Sequence, residues 1–133
     1  MEKVLINLEY LSILELNGKG SFDLLQGQIT SDMEKVSEDN CVLGSICDVK
    51  GRVISSFVTS LNTNKRDSYF MIGDKIVLEK TKTILEKYQP FYDCAISLNN
   101  EFNFYCIKQE LLQEEFHETD LSKSFQNYES FFR

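Results

Sequence analysis

The alternation of apolar and polar residues along the chain predicts a mixed fold. Val4 to Leu8 and Leu11 to Leu16 alternate as strands, with Leu14 and Leu16 on one face and Ile13 and Glu15 on the other. Asn17-Gly18-Lys19-Gly20 reads as a turn. Ser21 then stands where an N-cap is expected, with Asp23 in the first turn to complement the helix dipole. Phe22, Leu24, Leu25 and Ile29 supply a buried side, Gly27 interrupts the helix, and Thr30-Ser31-Asp32 offers a cap for a short second helix through Val36. Cys41 to Cys47 and Arg52 to Leu61 read as strands joined by Asp48-Val49-Lys50-Gly51, a four-residue hairpin connection whose glycine can take positive φ. After a turn at Asn62 to Lys65, Ser68 to Ile72 adds a third strand and completes a meander.

Asp74 caps the clearest helix, running to about Gln89 and ended by Pro90. Ile76, Val77, Ile84, Leu85 and Tyr88 fall near helical spacing, and Lys75/Glu79 and Lys82/Glu86 stand four apart on a solvated face. Cys94 to Leu98 and Phe102 to Ile107 read as two more strands around Asn99-Asn100, and a helix from about Gln109 follows. The expected class is α+β, an antiparallel sheet of a meander plus later strands packed with helices. Residues 1–116 would form the domain and residues 117–133 a polar tail bearing Phe125, Tyr128, Phe131 and Phe132. Such rings suggest docking, either on this domain or on a partner, including a second copy.

Length and composition narrow the function. The 133 residues suit one domain with a real core, and 42% hydrophobic residues argue against disorder of the chain as a whole. A formal charge of −7 with dispersed basic residues disfavours direct nucleic-acid binding. No stretch has the length of a signal peptide or a membrane span, so a cytoplasmic protein with reduced thiols is expected. Cys41, Cys47, Cys94 and Cys106 form no C-x-x-C pair, and the one histidine, His117, has no ligand nearby, so no metal site is expected. No catalytic constellation assembles either, because His117 lies in an acidic stretch away from any candidate nucleophile. Gly18-Lys19-Gly20 is too short to specify a phosphate loop.

Two segments are more specific: Leu24-Leu25-Gln26-Gly27-Gln28-Ile29-Thr30-Ser31-Asp32 and Cys47-Asp48-Val49-Lys50-Gly51-Arg52. Read from the residues alone, the first could end one helix and start another, and the second could be only a turn. With Gly18 before them, their order and spacing resemble the N-terminal part of the YgfZ-type folate-binding proteins, relatives of the glycine-cleavage T-protein, an aminomethyltransferase. The resemblance runs from about Leu11 to Tyr105. It implies the fold of the first domain of that superfamily and a role linked to iron–sulfur protein maintenance and tRNA modification, with tetrahydrofolate or a derivative as the ligand. It points to Gln28, Asp32, Asp48, Lys50 and Arg52 as binding residues. Lys50 and Arg52 would pair with a folate glutamate tail, and Asp48 or Asp32 would accept from pterin N–H groups; caps, turn bonds and surface pairs are the alternative for all five.

The departures from the family matter as much. Counting from Gly51, the catalytic aspartate of the aminomethyltransferases falls at Ser55, which lacks a carboxylate, so a non-catalytic protein is expected. An aromatic side chain facing folate in some members falls near Leu11, and the chain has no Trp. The family's K-G-C-Y-x-G-Q-E segment is absent. A protein-interaction module without folate is the alternative, and an active aminomethyltransferase ranks last.

Overall fold

A computed structural model describes residues 5–107. The helix expected from about Gln109, the domain boundary at residue 116 and the aromatic tail lie outside the described residues. Strands β1 (Leu5–Asn7), β2 (Leu11–Asn17), β3 (Val42–Cys47), β4 (Val53–Leu61), β5 (Ser68–Asp74), β6 (Ala95–Asn99) and β7 (Tyr105–Ile107) accompany helices α1 (Ser21–Gln28) and α2 (Lys75–Glu86). Short 3₁₀ turns lie at Met33–Lys35 and Gln89–Phe91. Five strands form an antiparallel sheet in the order β3-β4-β5-β2-β6, and β1 pairs with β7 in a separate ribbon. The α+β class and the meander of β3, β4 and β5 are as the pattern predicts.

The core lies between the sheet and the helices. Leu14 and Leu16 of β2, Phe57 of β4, Met71 of β5 and Ile46 of β3 meet Leu24 and Leu25 of α1 and Leu78 and Leu85 of α2. Burying each such side chain contributes about 1.5 to 3 kcal/mol before entropy is counted. At the far end of β2, the buried Ser68 hydroxyl donates to Asn17 Oδ1 at 2.5 Å and accepts from Asn62 Nδ2 at 3.1 Å, tying β2 to β5 and the turn between β4 and β5.

Four local expectations change. Ser21 is not the N-cap: Gly20 is, without a side-chain bond, and Ser21 is buried with its hydroxyl on Cys94 Sγ at 3.2 Å. A side chain turned inward toward β6 cannot reach back to its own helix amides. Gly27 does not interrupt α1, which continues to Gln28 and closes with Ile29 N–H donating to Leu25 O. Helix α2 ends at Glu86, earlier than Gln89, because Pro90 disfavours helical geometry at the residue before it and opens a new 3₁₀ turn instead. Its buried stripe is Leu78, Thr81 and Leu85, leaving Ile76 at 68% exposure and Tyr88 also outside.

Strands β6 and β7 do not pair with each other around Asn99-Asn100. The asparagines are tied back to β2: Asn99 Nδ2 donates to Glu15 Oε2 at 3.1 Å, and the Ser12 hydroxyl donates to Asn100 Oδ1 at 3.1 Å. The chain is thereby directed away from β6, and β7 reaches β1.

Thr59 is fully buried in β4, and its hydroxyl has no partner among the described residues. A buried unsatisfied hydroxyl destabilises by about 1 kcal/mol or more. Thr59→Val, which keeps the shape and removes the polar atom, should raise the thermal midpoint by about 4 °C in calorimetry. A lowered midpoint would show that the hydroxyl is in use.

Candidate functional site

The hairpin joining β3 to β4 is built from its own side chains. The Asp48 N–H donates to Arg52 O and the Gly51 N–H to Asp48 O, both at 2.9 Å, and Gly51 takes a φ of 79° that favours glycine. Asp48 Oδ1 accepts from the backbone N–H groups of Lys50 at 2.9 Å and Arg52 at 3.0 Å, while Oδ2 accepts from Arg52 Nε at 2.8 Å. The backbone N–H of Arg52, followed by its guanidinium and the Lys50 N–H, holds the Asp48 carboxyl below its ordinary value despite a smaller opposing effect of burial. Val49 and Lys50 are exposed at the tip. A register shift between Ile46 and Cys47 places a bulge just before the turn.

The end of the Leu24–Asp32 segment, at Thr30 and Ser31, lies along the outer edge of β3. Thr30 N–H donates to Ser45 O at 2.9 Å, Ser45 N–H donates back to Thr30 Oγ1 at 3.0 Å, and the Ser31 hydroxyl donates to Leu43 O at 2.6 Å. Gly44 is required where Ser31 crosses, since a Cβ there would meet the Ser31 hydroxyl. Gln26 Oε1 accepts from Met33 N–H at 2.7 Å, and Asp32 Oδ1 caps the following turn by accepting from Glu34 N–H at 3.0 Å. Gln28 is half-buried at the end of α1.

The two motifs therefore form one unit along the β3 edge. Ser45 stands three residues before Asp48, about 10 Å along the strand. Of the five predicted residues, Asp48, Lys50 and Arg52 are joined within the turn, while Asp32 caps its own 3₁₀ turn and Gln28 ends α1. A groove at the opposite edge, lined by Glu86, Gln89, Pro90, Tyr92, Asp93, Cys94 and Ala95, contains none of them. Thr30, Ser31, Ser45 and Gln26 make the joint; the sequence placed Thr30 and Ser31 only in a cap and Gln26 only in the motif, because their partners lie seven to fifteen residues away.

These residues fit the anionic end of a folate better than its pterin. Lys50 presents an exposed ammonium beside Arg52, whereas the Asp48 and Asp32 carboxylates already accept from their own turns. Ser55 is 3% exposed beneath α2, its Oγ 2.7 Å from Thr81 Oγ1, which is also 2.9 Å from Val77 O. One hydrogen of the pair thus serves the carbonyl and the other links the two hydroxyls. Burial pushes the Cys41 and Cys94 thiols up, and no cluster of three metal-ligating side chains occurs among the described residues. Gly18 and Gly20 serve packing: the Gly20 N–H donates to Asp93 O at 2.8 Å, and a Cβ on Gly18 would strike that carbonyl. No described helix is long and apolar enough to cross a membrane.

No protein-family model matches the chain. The tRNA-modifying protein YgfZ of Colwellia psychrerythraea is 30% identical over 119 residues, covering 86% of this chain and 36% of that protein. The protein of the same name from Serratia proteamaculans is 30% identical over 97 residues, covering 73% of this chain and 28% of its own length. A crystal structure of the glycine cleavage system aminomethyltransferase T from Bartonella henselae matches 71% of this chain and 26% of its own, with a TM-score of 0.64 and 8% identity, a likeness of fold. The chain spans about a third of the length of the curated relatives it matches. Its fold is of the glycine-cleavage T-protein class. Within that class its sequence is similar to part of the proteins named YgfZ.

Two outcomes follow from this geometry. Because the folded Asp48 carboxyl titrates below its unfolded value, its contribution is present above about pH 4 and lost as pH falls through the folded value. Urea midpoints measured from pH 6 to pH 2.5 should fall on the acid side, and Asp48→Asn should flatten that limb; an unchanged slope would remove Asp48 as its source. Gly18→Ala forces a Cβ into the Asp93 carbonyl at a φ of 129° and should cost about 2 to 3 kcal/mol by denaturant titration.

Proposed function

We propose that this chain serves a YgfZ-like role, as a non-catalytic folate-binding protein of the cytoplasm linked to iron–sulfur protein maintenance and tRNA modification. The 30% identity to a protein named as tRNA-modifying, over 86% of this chain, carries the reading. The Asp48–Arg52 hairpin supports it, since its internal bonds fix the backbone that carries Lys50 into solvent. In this reading Lys50 and Arg52 pair with the anionic glutamate tail of tetrahydrofolate or a derivative. Asp48 and Asp32 act as the scaffold of that surface, and Gln28 borders it. When bound, the folate supplies its one-carbon chemistry; the chain's residues bind and orient it.

Aminomethyl transfer does not belong to the proposal. The expected acid position is Ser55, whose hydroxyl is engaged with Thr81. A protein-interaction module without folate is the second reading, and the exposed Leu43 and Val53, at 55% and 63%, favour it.

Isothermal titration of tetrahydrofolate into the full chain separates the two. Micromolar binding weakened at least tenfold in Lys50→Ala/Arg52→Ala is the expected result. Binding unchanged in that variant removes the assignment of those residues. No binding by the parent chain removes the folate reading and leaves the interaction module.

A further inference from the structure

Helix α2 carries a net positive charge in an otherwise acidic chain. From Lys75 to Lys87 stand four lysines and two glutamates. Lys82 and Glu86 form the ion pair on this helix, whereas Lys75, Lys80 and Lys87 have none among the described residues. At 100° per residue, Ile76, Lys80, Thr83 and Lys87 fall on one stripe opposite the buried Leu78, Thr81 and Leu85. All four are exposed, and Phe91, in the 3₁₀ turn that follows the helix, is exposed as well. Apolar residues at both ends of a free cationic stripe suit an acidic segment that carries apolar side chains.

The sequence holds such a segment. Residues 110–120 contain Glu110, Glu114, Glu115, Glu118 and Asp120 with no lysine or arginine, interspersed with Leu111, Leu112 and Phe116. The chain leaves the described structure close to α2. Lys75 N–H, at the start of the helix, donates to Tyr10 O at 2.8 Å, and β1 continues back from there to Leu5, which pairs with Ile107. That path is roughly 17 Å. Helix α2 is about 18 Å long, and eleven residues can span up to about 36 Å, so the segment can reach along the whole stripe.

We propose that the outer stripe of α2 is the docking surface for the acidic segment 110–120 of the same chain. Lys80 and Lys87 meet its carboxylates, and Ile76 and Phe91 meet its apolar side chains.

Zero-length carbodiimide coupling of the full chain, followed by peptide mass spectrometry of the monomer band, tests this directly. The expected products join Lys80 or Lys87 to a carboxylate between Glu110 and Asp120. Links confined to a dimer band would assign the surface to a second copy and overturn the proposal, as would links to Lys50 in place of α2. Charge reversal gives an independent reading. Lys80→Glu/Lys87→Glu and Glu114→Lys/Glu118→Lys should each lower the thermal midpoint by about 3 °C, and the combined variant should recover it. Additive losses in the combined variant would show that the two sets of charges do not meet.

Discussion

Strand β2 is hydrogen-bonded along both edges, and the rest of the structure is arranged around that constraint. Ile13 to Asn17 pair with Ile72 to Ser68 of β5 on one side and with Asn99 to Ala95 of β6 on the other. Leu14 and Leu16 are fully buried toward the helices, and on the other side Ile13 is 3% exposed while Leu11, Glu15 and Asn17 are half-buried. Polar groups near the strand serve its own closure, as with the Asn17–Ser68–Asn62 chain at one end and Ser12 on Asn100 at the other. Side chains free to act are displaced to the periphery, to the β3–β4 hairpin and the outer surface of α2.

The periphery is ordered by a different means. As the terminal strand of the sheet, β3 would present unpaired backbone groups, a template for unwanted strand pairing. Thr30 and Ser31 cover part of that edge by bonding the Ser45 and Leu43 backbone. This protection also sets the geometry of the candidate site, because it fixes the α1 segment against the strand that leads into the hairpin. Asp48 then fixes the turn. Its pair with the exposed Arg52 adds little to stability, as surface ion pairs do. Its effect is positional: Arg52 is held beside its own turn, and Lys50 remains the cation open to solvent.

The hairpin was legible in the sequence because all its bonds span four residues or fewer, so the residue types alone imply the turn. The Asp74 cap was legible for the same reason, its carboxylate reaching only Ile76 and Val77. Errors arose where a residue answers to something distant. Ser21 has the side chain of a cap but is drawn inward to Cys94, seventy-three positions away. Ile76 is apolar at helical spacing, yet the sheet takes the stripe of Leu78, Thr81 and Leu85, one of them polar, because Thr81 can satisfy its hydroxyl on Ser55 and Val77. The joint between Thr30 and Ser45 gave no local signal. Of the candidate site, the hairpin could be read residue by residue, whereas its relation to Gln28 and Asp32 depends on pairing across the β3 edge.

Ser55 shows how packing constrains chemistry. It lies on the face of β4 that α2 covers, and the Ser55–Thr81 contact is a neutral pair closed within the core. A carboxylate introduced there would be stripped of water and would face a hydroxyl already committed to Val77 O. Its charge would be unfavourable at that site, and its pKa would rise until it took up a proton. A neutral acid under a helix does not orient or charge a substrate amine. The next residue along the strand, Ser56, is by contrast exposed and lies 2.9 Å from the Ser45 hydroxyl. That residue is again a hydroxyl in a local pair with no carboxylate. A carboxylate at residue 55 would therefore require the α2 contact to be rebuilt as well.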